Sequence, residues 1–158
     1  MILFIIINYI MKIYLDVCCL SRPFDNQTQE RIRLESEAVL AILTHCQSGG
    51  WYLIGSDIIE NELLRIPDEE KREKVKILAK ISSVKIDVNA AIEKRGFELE
   101  NSGFNAFDAL HIACAEDAKA NVLLTTDDQL LHRAIIHRKI LKVRVENPIK
   151  WLMEVFIK

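Results

Sequence analysis

Four acidic side chains stand at positions from which they could act together on a cation. Asp16 and Asp127 each end a short apolar segment, and Glu62 and Asp108 each lie in a helical segment with apolar neighbours. Carboxylates that meet within a few ångströms repel each other by ~1 to 4 kcal/mol per pair, so they gather only where a cation or protons compensate. Oxygen ligands of this kind select Mg²⁺ or Mn²⁺.

Short β-prone segments alternate with amphipathic helices along the chain and must position these acids. The predicted strands span 12–17, 51–55, 84–88 and 122–126, with a possible edge strand at 142–145. The predicted helices span 29–47, 57–64, 67–81, 90–100, 105–119, 128–140 and 149–156. This alternation predicts an α/β fold with a parallel sheet and right-handed crossovers. Such sheets bind ligands beyond the carboxyl ends of their strands, where Asp16 and Asp127 are expected.

Some side chains near the acids have structural interpretations. We predict that Asp128 caps the helix after the fourth strand and that Asp127 is a metal ligand. The opposite assignment of the two roles stays open. Asp108 could instead be a helix-terminal charge near the positive end of the dipole. His111 fits a hydrogen-bonded core residue and is left out of the metal set. In the helix at 29–47 the predicted apolar stripe excludes Glu35.

The composition excludes some classes of protein. The 158 residues are 50% hydrophobic and 28% charged with a net charge of −2, so the chain does not hold nucleic acid by bulk basicity. No two of its four cysteines have the spacing of a zinc knuckle, and reduced thiols in the cytoplasm are expected. Residues 1–10 are too short an apolar run for a membrane span. We interpret them as an upstream over-extension, or alternatively an extra segment, before a single domain at 11–158.

The ordered motifs resemble those of PIN-domain nucleases. They are Tyr14-Leu-Asp16, Ser56 followed by Glu62-Leu63-Leu64, Asp108-Ala-Leu-His-Ile-Ala, and Leu124-Thr-Thr-Asp127-Asp128, between Met11 and about Lys150. The segment Leu15-Asp-Val-Cys-Cys-Leu-Ser-Arg-Pro-Phe-Asp25 is similar to one prokaryotic subgroup of VapC-like proteins. The sequence departs from many relatives at Cys18, where a small hydroxyl or amide residue is usual.

The resemblance implies a three-layer α/β/α sandwich. It also implies a metal-dependent endoribonuclease, as in VapC-type toxins that are paired with an antitoxin. Its catalytic and metal-ligating set, carried over by position, is Asp16, Glu62, Asp108 and Asp127. Asp16 would be the central ligand of Mg²⁺ or Mn²⁺, and Glu62 would orient the attacking water or complete a second metal shell.

Further residues are candidates for contact with RNA, and partners are expected by family analogy. Thr125 and Arg22 are the predicted substrate-binding residues; Lys12 and Arg65 fit ordinary surface charges better. A homodimer through Trp151 and the final helix, and an antitoxin protein, are the expected partners, with no membrane.

Other functions remain open from the sequence alone. The main alternative is a non-catalytic RNA-binding or antitoxin-docking module with the same fold. A phosphatase that forms a phospho-aspartate is less favoured, because the Asp16 segment lacks a second Asp two residues later. Thiolate chemistry at Cys18 and Cys19 is also disfavoured, since adjacent cysteines after a strand usually serve packing.

Overall fold

A computed structural model of the protein describes residues 10–157. The expectation for residues 1–10 therefore concerns a segment that, apart from Ile10, lies outside the described residues. Among residues 10–157, no helix is both long enough and apolar enough to cross a membrane.

A five-stranded parallel sheet lies at the centre of these residues. Its strands are β1 (Lys12–Leu15), β2 (Tyr52–Ser56), β3 (Val84–Ile86), β4 (Val122–Leu124) and β5 (Arg144–Glu146), in the order β3-β2-β1-β4-β5. All four neighbouring pairs are parallel. The central strands β1 and β4 are buried and, apart from Lys12 and Tyr14, apolar, as is usual when helices cover both faces of a sheet. The predicted parallel sheet is confirmed.

Eight α-helices connect or follow the strands in the described part of the chain. They are α1 (Val17–Ser21), α2 (Glu30–Gln47), α3 (Asp57–Leu63), α4 (Glu69–Ala79), α5 (Ala90–Asn101), α6 (Ala106–Asp117), α7 (Asp128–Ile136) and α8 (Pro148–Ile157). Side chains of Ser56, Asp68, Asn89 and Asn105 accept backbone N–H bonds as N-caps and so fix where α3 to α6 begin. The α/β sandwich that the sequence predicted is confirmed.

Two local structures differ from the sequence prediction. The first strand ends at Leu15, not at residue 17, because the Asp16 carboxylate caps the short helix α1. A 3₁₀ turn at Arg22–Phe24 follows α1, and no helix was expected between β1 and α2. This compact connection brings residues after β1 back over the carboxyl end of the sheet.

The final helix packs on its own chain. Trp151 is buried and lies edge-on to Trp51, with ring centroids 5.3 Å apart. The expectation that Trp151 faces a second subunit is therefore wrong for this side chain. Phe156 is more than half exposed at the same end of α8 and keeps that expectation open.

Glu35 on α2 is fully buried, which corrects the expectation that it lies off the buried face. Its carboxylate accepts hydrogen bonds from Arg22 Nε at 2.9 Å and Asn147 Nδ2 at 2.7 Å, and a longer one from Arg31 Nε at 3.4 Å. Burial of a carboxylate is tolerated when cations and donors compensate its charge. Glu35 thus joins the turn after β1, helix α2 and the start of α8.

Replacing Glu35 by alanine should lower the free energy of unfolding by roughly 2 to 4 kcal/mol, because it leaves buried donors unpaired. Glu37→Ala is the matched control on the same helix: its exposed pair with Arg33 spans 3.6 Å and should contribute less than about 1 kcal/mol. Urea unfolding of the three proteins measures both values. Equal losses for the two variants would contradict the role assigned to Glu35.

Candidate functional site

Asp16 lies at the carboxyl end of β1 in the middle of the sheet. Its backbone N–H donates to Leu124 O at 3.2 Å, which joins the ends of β1 and β4. Its Oδ1 accepts the Cys19 N–H at 3.0 Å, and the side chain is almost fully buried. Burial raises the pKa of this carboxyl, while hydrogen bonds from the side chain of Thr125 and the backbone of Cys19 oppose the rise. Asp16 is therefore a rigidly held carboxylate in a dry environment.

Asp127 follows β4 at the same edge and caps α7. Its Oδ1 accepts the Gln129 N–H at 2.9 Å. Asp128 does not cap: it is exposed and accepts two 2.7 Å hydrogen bonds from the guanidinium of Arg31. The prediction that Asp128 caps this helix is thus wrong, because Asp127 is the last residue before the helix. Asp127 remains beside the other acids, since its charge contributes to raising the pKa of Asp108.

Thr125 lies between these two acids. It is fully buried, and its Oγ1 accepts the Asp127 N–H at 3.1 Å while its side chain also bonds Asp16. Thr125 therefore supports the Asp16 carboxylate directly and holds the backbone of Asp127. Its expected contact with substrate stays a prediction.

Asp108 lies in the first turn of α6, after the N-cap Asn105, whose Oδ1 accepts the Asp108 N–H at 2.9 Å. Burial, followed by the charges of Asp16 and Asp127, raises the pKa of Asp108 to about 6. A carboxylate that served only the helix dipole would have its pKa lowered. The raised value shows that repulsion from the other acids and burial outweigh the dipole.

Glu62 on α3 reaches the cluster from the other side. Its Oε2 lies 2.7 Å from His111 Nε2 on α6, and about a quarter of its side chain is exposed. The neighbouring acid Glu60 points elsewhere, as predicted, and pairs with Lys85 at 3.1 Å. The α3 helix therefore sends one carboxylate to the site and another to the surface.

The thiol of Cys18 lies in the electrostatic field of all four acids. The pKa of the Cys18 thiol lies far above its ordinary value, first because of the charge of Asp16 and then because of burial. The other three acids, Glu62, Asp127 and Asp108, all contribute in the same direction. Because the thiolate is the nucleophilic form of cysteine, this environment disfavours thiol chemistry at Cys18.

The donor chemistry of the cluster fits a divalent cation. Its members offer carboxylate oxygens, and no salt bridge in the described part of the chain joins Asp16, Asp108 or Asp127 to a Lys or Arg. A bound cation would relieve the repulsion that raises the pKa of Asp108. Within residues 10–157, however, no three His, Cys, Asp or Glu side chains are grouped closely enough to hold an ion together. The acids are gathered, but they do not form a closed ligand shell.

Arg22 lies in a cavity of about 400 Å³ that opens next to the acids. The cavity is also lined by Cys18, Lys71 and Asp127. Asp25 accepts hydrogen bonds from Arg22 at 3.1 Å and Lys71 at 2.6 Å, so both cations are partly compensated. Arg22 thus lines a cavity next to Asp127, and Lys71 is a second cation there that the sequence did not single out.

The other two basic candidates have structural partners. Lys12 begins β1, at the edge of the sheet opposite the acids, and its Nζ lies 3.4 Å from Ala118 O. The guanidinium of Arg65 lies over the ring of Phe107, 4.7 Å from its centroid. These positions agree with the interpretation of both as ordinary charges.

Asp108→Asn should remove part of the pH dependence of stability. The folded-state pKa of about 6 exceeds the ordinary value of 3.8, so the folded protein binds this proton more tightly than the unfolded chain. The free energy of unfolding therefore falls as pH rises from about 4 to about 6, and the loss persists above that range. In EDTA, acidification through this range should raise the free energy of unfolding of wild type by about 1 kcal/mol more than that of Asp108→Asn, after allowance for solvent screening.

Thermal unfolding of both proteins at the two ends of this range, without divalent ions, measures that difference. A constant difference between the variant and the wild type at both pH values would contradict the raised pKa of Asp108.

Comparisons with known proteins identify the family of this fold. The sequence matches the PIN domain family over residues 13–136. No curated protein sequence matches the chain.

Three solved structures share the fold. VapBC2 from Rickettsia felis, in a structure bound to a DNA fragment from its promoter, has 18% sequence identity to this chain and a TM-score of 0.55. VapBC-1 from nontypeable Haemophilus influenzae has 15% sequence identity and a TM-score of 0.57. Each alignment covers 87% of this chain and 98% of the other. PAE2754 from Pyrobaculum aerophilum has 13% identity and a TM-score of 0.56, with 94% and 91% covered. The family match spans most of the chain and carries the assignment, and these structures support its fold: the protein belongs to the PIN domain family.

Proposed function

We propose that this protein is a metal-dependent endoribonuclease that hydrolyses RNA phosphodiester bonds at the cluster of Asp16, Glu62, Asp108 and Asp127. Proteins of the PIN domain family are nucleases, so a nucleic-acid hydrolase is the general function that membership supports. The observation that carries the proposal is that Asp16 and Asp127 follow the neighbouring strands β1 and β4 at one edge of the sheet, with no Lys or Arg paired to either carboxylate in the described residues. Burial and the charges of these two acids also raise the pKa of Asp108 to about 6, and perturbed carboxylates of this kind are common at functional sites.

The residues have separate roles in this proposal. Bound Mg²⁺ or Mn²⁺ would activate water, neutralise charge on the phosphate and stabilise the leaving oxygen. Asp16 would be the central ligand, because Cys19 N–H and Thr125 hold it in place. Asp108 and Asp127 would complete the ligand set from α6 and from the end of β4.

Glu62 and Arg22 would act at the edges of the cluster. Glu62 has one methylene more than an aspartate and is partly exposed, so it would complete the ligand shell of the metal and orient the attacking water. Arg22 would bind a flanking phosphate in the neighbouring cavity. The guanidinium then exchanges part of its pairing with Asp25 for a phosphate oxygen.

The proposal includes protein partners. Two similar structures are VapBC proteins, and we propose by analogy that this chain is the toxin of a toxin-antitoxin pair in the cytoplasm. Large apolar side chains that remain exposed, among them Ile77, Phe97 and Phe156, support contacts with an antitoxin or a second copy. Light scattering of the purified protein at several concentrations distinguishes a homodimer from a monomer.

The experiment that tests the function compares labelled single-stranded RNA, structured RNA and DNA of the same sequence in Mn²⁺. We expect internal cleavage of RNA by wild type and by Asp128→Asn, whose carboxylate only pairs with Arg31. We expect a loss of ~10²-fold or more in Asp127→Asn, since this change removes a ligand charge. Binding of RNA without cleavage would favour the non-catalytic docking module, and cleavage of DNA alone would overturn the RNA assignment.

A further inference from the structure

A chain of buried hydrogen bonds ends on Glu62. Three polar side chains in it, Tyr14, Ser56 and His111, are at most 1% exposed although they come from β1, β2 and α6. Tyr14 Oη lies 2.7 Å from Ser56 Oγ and 2.6 Å from His111 Nδ1. The other ring nitrogen of His111 lies 2.7 Å from Glu62 Oε2. These hydrogen bonds thus connect the buried core to the Glu62 carboxylate of the acid cluster.

The direction of these bonds follows from their two ends. At one end the Ile59 N–H donates to Ser56 Oγ. At the other end the Glu62 carboxylate only accepts, so His111 must carry its proton on Nε2. In the neutral ring Nδ1 then accepts, Tyr14 donates to it, and Ser56 donates to Tyr14. In this tautomer every proton in these hydrogen bonds points from the core toward Glu62.

Burial keeps the middle of the chain in this state. Tyr14 is fully buried, and burial disfavours the charged phenolate form. The phenol therefore stays protonated and able to donate. Bonds that run in one direction through a dry interior strengthen each other, which fixes the orientation of the His111 ring.

Stability alone does not require these groups. Buried polar side chains are tolerated only when paired, and apolar side chains of similar size often serve a core equally well. Here all of them are paired: in the part of the chain described, no buried side-chain nitrogen or oxygen lacks a hydrogen-bond partner. What these hydrogen bonds add to the fold is a fixed position for the Glu62 carboxylate at the acid cluster.

We propose that His111 is a positioning residue that holds the Glu62 carboxylate at the acid cluster through its Nε2–H. The hydroxyls of Tyr14 and Ser56 keep the ring in the tautomer that donates. Both ring nitrogens are occupied by these contacts and the ring is buried, so His111 acts through Glu62 and not on substrate. The inference rests on the proposed function, because it assigns a purpose to the placement of Glu62.

A double-mutant cycle tests whether His111 acts through Glu62. His111→Phe keeps a ring in the core and removes both nitrogens. We expect it to lower kcat for RNA cleavage by ~10 to 100-fold while KM changes by less than about threefold. In a Glu62→Gln background the same change should have an effect of less than about twofold, since the group through which it acts is already altered. Losses that multiply independently in the double variant would overturn the proposal.

Two conservative variants separate positioning from packing. His111→Gln can donate from its amide nitrogen and accept at its oxygen, so it should recover part of the kcat lost in His111→Phe. Tyr14→Phe removes one hydroxyl and should give a smaller loss that also disappears in the Glu62→Gln background. If His111→Phe does not fold, the same double-mutant cycle is measured with Tyr14→Phe. Equal activity of His111→Gln and His111→Phe would overturn the donor role.

Mn²⁺ binding provides a readout that does not depend on cleavage. We expect His111→Phe to weaken Mn²⁺ binding by ~10-fold or more in calorimetry, and to have no further effect in Glu62→Gln. Ile112→Val, a buried change next to His111 on α6, is the control: it should lower the melting temperature without altering Mn²⁺ affinity. If wild type does not cleave RNA, the proposed function fails, while this binding cycle still decides the role of His111. Equal Mn²⁺ affinity of His111→Phe and wild type overturns that role.

Discussion

Asp16→Asn is expected to lower RNA cleavage by at least about a thousandfold, because loss of the central ligand removes several kcal/mol of transition-state stabilisation. The fold should survive the change. Asparagine is as good an N-cap as aspartate, so the bond to the Cys19 N–H that begins α1 is retained. Rates under single-turnover conditions with saturating Mn²⁺ measure the loss.

The stability of Asp16→Asn provides the control for that experiment. Burial raises the pKa of Asp16, which means that the ionised carboxylate costs folding free energy at neutral pH in the absence of a cation. The neutral amide removes this cost, so the melting temperature in EDTA should be equal to or higher than that of wild type. A variant that is folded and cleaves at the wild-type rate would show that Asp16 is not a ligand.

Glu62→Gln is expected to lower kcat by roughly 10²-fold or more, since the amide no longer accepts a proton from an attacking water. The matched control is Glu60→Gln on the same helix. Glu60 is exposed and its pair with Lys85 lies away from the cluster, so this variant should stay within about twofold of wild type. A comparison of kcat for the two variants under identical metal conditions separates a role for Glu62 from a general effect of charge. Similar losses in both would contradict the assignment.

The elements that position the acids could be predicted because their signals are local. The strands are short apolar runs, and Ser56 marks a helix start by its side-chain chemistry. Placing Asp16 and Asp127 at the carboxyl ends of parallel strands was then enough to bring them to one edge. The order of motifs along the chain added Glu62 and Asp108.

The errors concern contacts that leave no periodic signal in the sequence, most of them between residues far apart along the chain. Glu35 looked solvent-facing because its charge was counted alone, whereas Asn147 and Arg22 surround it in the fold. The short helix α1 reads as a continuation of β1, since its residues are small or apolar, and only the bond from Cys19 N–H to Asp16 breaks the strand. Neither contact leaves a periodic pattern.

The positioning chain was missed for the same reason. Tyr14 and His111 are separated by 97 residues, and Glu62 and His111 by 49. The sequence indicated that His111 was a hydrogen-bonded core residue, and the structure identifies its partners. The one available signal was the position of His111 three residues after Asp108, on a helix that already held an acid of the cluster.

The most direct test of the central claim is reversible metal dependence of RNA cleavage by the purified wild-type protein. A labelled RNA is incubated with the protein in Mg²⁺ or Mn²⁺, then in excess EDTA, and then with the metal restored. The acid cluster predicts internal cleavage that stops in EDTA and returns with the metal. Cleavage that continues unchanged in EDTA would contradict a metal-dependent centre formed by these four acids.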